Sequence, residues 1–215
     1  MIISIGVQCT IASLKKDILK ISSPTYPFDW MLTSPKFVFE MLELLLDKRM
    51  DISELVRNHF FICDKRATFI RCEDHVSNDD GKCLYNTKYN VIFPHDTYSE
   101  TTIAKYIRRF ERLKDIILTS TDELRFVYCS QSSLDSGNFT VDGKEVIFDV
   151  YYYLSKIYEL IGKHRINYKM IVFDAVNVDD SKSLNENISL ILINKCNNIG
   201  QLLNQLHDFK SNMID

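Results

Sequence analysis

The sequence predicts an α/β protein: a three-layer α/β sandwich with a mainly parallel sheet and a small β-hairpin insertion. Three observations predict it. The runs ELRFVYC (123–129) and YKMIVFDAV (168–176) are near-continuously apolar, as strands covered on both faces are. A helical stretch, VIFDVYYYLSKIYELIGKH (146–164), lies between them. It is followed by a further apolar strand, ISLILIN, and a closing amphipathic helix, IGQLLNQLHDF. Alternation of strand and helix is the pattern of a parallel sheet with helical layers on its faces. At 215 residues, 46% hydrophobic and 26% charged, the chain has the size and composition of one soluble domain over 1–215, with a strand and loop insertion at 60–93.

The elements follow in order. MIISI reads as a first strand ended by Gly6. Ile11, Leu14, Ile18 and Leu19 then form one helical stripe, with Lys15, Lys16 and Lys20 around it. SSPTYPFDWMLTSP (22–35) carries three prolines and is a turn-rich connector. Ser34 caps the next helix, Pro35 occupies its first turn and FVFEMLELLLDK is its body. Asp51 caps a shorter helix, DISELVRNHF. FFICDKRATFIRC predicts two short strands around a DKRA turn, and CLYNTKYNVIF predicts an alternating strand after the polar stretch 73–82. Thr97 and Glu100 have capping-box spacing, so a helix is expected from there, with Arg108, Arg109 and Arg112 on its solvated face. Gly162 is expected to end the 146–164 helix.

Composition excludes several function classes. A net charge of −3 gives no reason to expect nucleic acid or membrane as partner. Lys15 and Lys16 follow the apolar start instead of preceding it, so no secretory signal is read and a cytoplasmic location is expected. The cysteines at 9, 63, 72, 83, 129 and 196 form no C-x-x-C pair, so no metal site is expected. There is no glycine-rich phosphate loop, and no cofactor is expected.

Ligand sites in open α/β sheets lie beyond the carboxyl ends of the strands, which directs attention to GVQC, CSQSSLDSGN and DAVNVDD. Cys9 is the thiol at a predicted helix start, where unpaired backbone N–H groups favour a thiolate and can hold an oxyanion. Its neighbours Gln8 and Thr10, with Trp30, are the candidate oxyanion and substrate contacts. Of five histidines, His95 lies in the tight PHD segment between a buried strand and a capped helix, and is the candidate base. Asp96 or Asp29 is placed to orient it. Simpler roles compete: a packed Cys9, an Asp96 that caps the following helix, and a PFDW plug in which Asp29 binds backbone.

SIGVQCTIASLKK, SSPTYPFDWMLTSP, VIFPHD and YIRRFERL together resemble an uncharacterised family of papain-like cysteine peptidases of bacteria and large DNA viruses. The resemblance covers about the first 120 residues. It implies Cys9 as nucleophile, His95 as base and Asp29 or Asp96 as acid, with a protein or peptide as substrate and a papain-like α+β fold as the alternative architecture. The expected activity is that of a cysteine-dependent hydrolase: a peptidase, deamidase or acyl transferase. Two other readings stand beside it. One is a non-catalytic interaction protein on an enzyme-like scaffold, viral factors included, with contacts through YYYLSKIYEL or 73–82. The other is a sandwich-type esterase, in which His207 would be the base.

Overall fold

A computed structural model describes residues 1–6, 10–20, 22, 24–63, 65–67, 83–129, 139–141, 144–146, 149–174, 184–194, 196 and 199–209. Four parallel strands form the central sheet: β1 (Ile2–Ser4), β5 (Leu124–Cys129), β8 (Tyr168–Asp174) and β9 (Ser189–Leu192), in that spatial order. Ile3 lies opposite Phe126, Phe126 opposite Met170, and Val172 opposite Leu190.

The period-2 alternation of these strands builds two cores. Ile3, Phe126, Tyr128, Met170 and Val172 face one layer, made of α2 (Pro35–Leu46), α4 (Glu100–Thr119) and α5 (Val150–His164). Ile2, Val127, Cys129, Ile171 and Phe173 face the other. There α1 (Thr10–Ser13), continued by a π-helical turn Leu14–Ile18, packs beside α6 (Ile199–Asp208). This is the expected sandwich with a mainly parallel sheet.

The middle of the chain adds a second, antiparallel sheet of β2 (Lys65–Ala67), β3 (Cys83–Asn86) and β4 (Val91–Phe93). It follows α3 (Ile52–Leu55) and its π-helical extension Val56–Phe60. A separate hairpin pairs β6 (Phe139–Val141) with β7 (Lys144–Val146).

Two expected caps are in place. The Ser34 hydroxyl accepts from the Phe37 N–H at 3.2 Å, and the Asp51 carboxylate accepts from the Glu54 N–H at 3.0 Å.

Several local expectations are corrected. Lys65, Arg66 and Ala67 form β2 instead of a turn. CLYNTKYNVIF is a hairpin, broken where Asn86 accepts from the Tyr89 N–H and Asn90 takes φ 54°. Ser99, not Thr97, caps α4, accepting from the Thr102 N–H. Val146 ends β7, so α5 starts only at Val150. Gly162 lies inside α5, where a Cβ would come within 2.6 Å of the Tyr168 hydroxyl; it is a close-approach glycine, not a stop. β9 is an edge strand of mixed exposure instead of a buried one.

Candidate active site

Gln8 and Cys9 lie outside the described residues, so their surroundings are given by the chain on either side. On the N-terminal side the Ile5 N–H donates to the Val127 carbonyl at 3.0 Å, extending the pairing of β1 and β5. Gly6 then turns the chain at φ +125°, where a side chain would be strained. An added Cβ would meet the Tyr128 ring at 3.2 Å and the Thr33 methyl at 3.6 Å. Gly6 is therefore wedged between the end of β5 and the connector that carries PFDW.

On the C-terminal side Thr10 is buried at the start of α1. One turn later the Lys15 ammonium reaches both carboxylate oxygens of Asp29, at 3.3 and 3.2 Å. Both side chains are almost fully buried. Asp29 also accepts from the Tyr26 N–H at 2.9 Å, closing its own turn. The segments before and after Cys9 are thus both tied to residues 26–33.

The same connector holds the candidate base. Leu32 and Ile92 exchange backbone hydrogen bonds of 3.0 and 2.9 Å, clamping it onto β4. Phe28 plugs the core, edge-on to Phe60 and Phe110. Trp30, at φ 64°, turns back out and meets His95 edge-to-face, with ring centroids 6.1 Å apart. His95 itself is exposed, directly after buried Pro94. Next to it the buried Asp96 carboxylate accepts from the Tyr106 hydroxyl at 2.6 Å and pairs with Lys105, both on α4. Burial pushes the Tyr106 phenol well above its usual pKa, with the Asp96 charge adding to the shift, so it stays a donor.

The structure therefore brings Trp30 and His95 together. The carboxylates of Asp29 and Asp96 are taken by Lys15 with Tyr26, and by Lys105 with Tyr106.

Three residues that sequence reasoning missed support this site. Lys15 reads as a solvent-side lysine, yet its spacing from Ile11 puts it inside the apolar stripe, a signal present in the periodicity. Tyr106 carries the same signal, spaced from Ile103 and Phe110 as a member of the α4 stripe, whereas Lys105 carries none. The arginine face of α4 is also not wholly solvated. Arg112 donates to the Thr25 carbonyl at 2.6 Å. Arg109 lies over the Tyr106 ring at 5.2 Å, with its Nη1 buried and lacking a hydrogen-bond partner among the described residues.

The other histidines lie elsewhere. His59 is in the π-helical turn after α3, and His164 pairs with Asp47 at 2.7 Å. His207 is exposed on α6, and His75 lies outside the described residues. Among the described residues no group of three or more His, Cys, Asp or Glu is placed to hold a metal ion. No described helix is long and apolar enough to cross a membrane.

No curated protein and no solved structure matches the chain. One family does, over residues 1–149, under the description "Putative papain-like cysteine peptidase (DUF1796)". The matched part takes in β1, the turn that leads to Cys9, the PFDW connector, the PHD segment and α4, and stops just before α5. The chain belongs to this papain-like cysteine peptidase family.

Proposed function

We propose that the chain is a cysteine-dependent hydrolase of amide, isopeptide or ester bonds, with Cys9 as nucleophile and His95 as general base. The observation that carries the proposal is the shared anchor. Gly6, three residues before Cys9, packs on Thr33, and Lys15, six residues after it, pairs with Asp29. The same connector presents Trp30 to His95. Three residues span at most about 11 Å, which supports a Cys9 within reach of this connector.

In this mechanism His95 takes the Cys9 thiol proton and the thiolate attacks the carbonyl carbon of the substrate. The resulting oxyanion is stabilised by backbone N–H groups around Cys9 and Thr10 at the start of the helical run. Collapse breaks the bond to the leaving group, which takes the proton from the His95 imidazolium. Water, deprotonated by His95, then attacks the thioester, releasing the acid and restoring the thiol. Trp30 walls one edge of the imidazole. Asp29 and Asp96 act as positioning residues, locking the connector and the PHD segment.

The test is alkylation by iodoacetamide at neutral pH, read residue by residue by mass spectrometry. Cys9 should react at least about ten times faster than the other cysteines, as a thiolate outpaces a protonated thiol. His95→Ala, at an exposed position, should slow that labelling roughly 100-fold, the lower range for loss of a general base. Labelling of Cys9 no faster than that of the rest, or unchanged by His95→Ala, overturns the assignment.

A further inference from the structure

A cavity of about 530 Å³ opens between α2, α5 and the β3–β4 turn. It lies at the opposite end of β4 from His95: Lys88 and Tyr89 precede the strand, whereas His95 follows it. Its size is that of small-molecule sites. Four Phe and Tyr rings line it, and three of them are not packed away. Tyr152 is 47% exposed, and Tyr153 and Phe39 are only half-buried. Tyr152 and Tyr153 stand edge-to-face at 5.1 Å, and Phe39 meets Tyr153 at 6.1 Å.

The fourth ring, Tyr89, is rigidly held. Its N–H donates to Asn86, its carbonyl accepts from Ser34, and its hydroxyl donates to Glu40 at 2.6 Å. Burial and that bond raise the Tyr89 phenol pKa, so it remains neutral.

Charged groups of both signs line the cavity. Three lysines (48, 88 and 156) line it against two glutamates, in a protein of net charge −3. Glu43 is neutralised by Lys48 at 2.8 Å, and Glu40 already accepts from Tyr89. Lys88 lies over the Tyr89 ring at 4.5 Å and has no carboxylate partner among the described residues. Lys156 lies over the Tyr152 ring at 5.7 Å and is paired with Glu159 at 3.0 Å, which leaves Lys88 to meet a ligand's charge. Aromatic faces beside the Lys88 ammonium suit one kind of ligand: a flat ring to stack, with a negative charge for Lys88.

We propose that this cavity is a binding site for a small planar aromatic anion, its ring against the tyrosines and its charge at Lys88. The Lys88 side chain meets the charge, so no glycine-rich phosphate loop is required. A nucleoside monophosphate and a phosphorylated tyrosine share this chemistry.

Isothermal titration of the full chain with AMP and with O-phospho-L-tyrosine tests the proposal and separates the two sources. At least one should bind with a Kd below about 1 mM. Adenosine and inorganic phosphate, each lacking one half of the chemistry, should bind at least about ten-fold more weakly. Lys88→Gln should weaken binding about ten-fold, as loss of a charge-assisted bond does. Tyr152→Ala should weaken it about five-fold, as loss of a stacking face does. Both side chains are exposed, so neither change threatens the fold. His95→Ala should leave the Kd unchanged. The proposal is overturned if neither aromatic anion binds, if phosphate alone binds as well, if both cavity variants bind like the wild type, or if His95→Ala abolishes binding.

Discussion

Replacing Lys15 by Met tests whether the buried pair with Asp29 holds the candidate site together. Methionine keeps most of the apolar stem and removes only the ammonium. Asp29 is 1% exposed and would keep, among the described residues, a single donor, the Tyr26 N–H at 2.9 Å. A carboxylate stranded in this way costs about 3–5 kcal/mol. For a chain of 215 residues each kcal/mol corresponds to roughly 2–4 °C, so the melting temperature should fall by roughly 6–20 °C. The double variant Lys15→Met/Asp29→Asn removes both charges and keeps an oxygen for Tyr26. It should recover most of the loss, because a neutral replacement of a buried pair is often near-neutral. Urea unfolding of the wild type, both single variants and the double variant completes the cycle. A Lys15→Met loss below about 1 kcal/mol, the range of exposed pairs, would refute the reasoning. The same variant should slow Cys9 alkylation, because it loosens the connector that faces His95.

Ser34→Ala should cost about 1 kcal/mol in urea unfolding through loss of the α2 cap, and Ser34→Asp should restore most of it. Gly162→Ala should lower the melting temperature although alanine favours helix, because its Cβ meets the Tyr168 hydroxyl; Gly162→Ala/Tyr168→Phe should regain the loss. Burial pushes the Tyr26 phenol up to about 12, against the opposing pull of Arg112. Above pH 10 the unfolded chain loses this proton and the folded one keeps it. Stability should therefore be present below pH 10 and fall as pH rises towards about 12, and Tyr26→Phe should flatten that decline in alkaline melts.

The sandwich was legible because β5 and β8 are apolar at consecutive positions, a pattern that only doubly covered strands carry. Caps at Ser34 and Asp51 were legible for an equally local reason, since each satisfies a donor three residues away. The hairpin in CLYNTKYNVIF was not, because its turn rests on the Asn86 side chain and a positive φ at Asn90, which compete with a strong strand pattern. At the site, His95 and the PFDW block could be singled out as tight, unusual segments. Their meeting through Leu32 and Ile92 is a tertiary contact without sequence periodicity. Lys15 was misread because a charge on a helix is solvated by default, and its partner stands fourteen residues away. Asp96, the candidate orienting acid, is bonded to Tyr106 and Lys105 of α4, contacts that sequence spacing does not announce.

The pairing of β1 with β5 has a consequence for how the protein comes into being. The amino group of Met1 donates to the carbonyl of Glu123, 122 positions along the chain. At about 5–20 residues per second of synthesis, β1 waits roughly 6–24 s for the strand it pairs with. Until then Ile2, Ile3 and Ile5 have no sheet to join, and the turn at Gly6 lacks the Tyr128 ring that it packs against. A nascent chain thus carries β1 unpaired until β5 has emerged. The Gly6 turn is therefore complete only once β5 has been made.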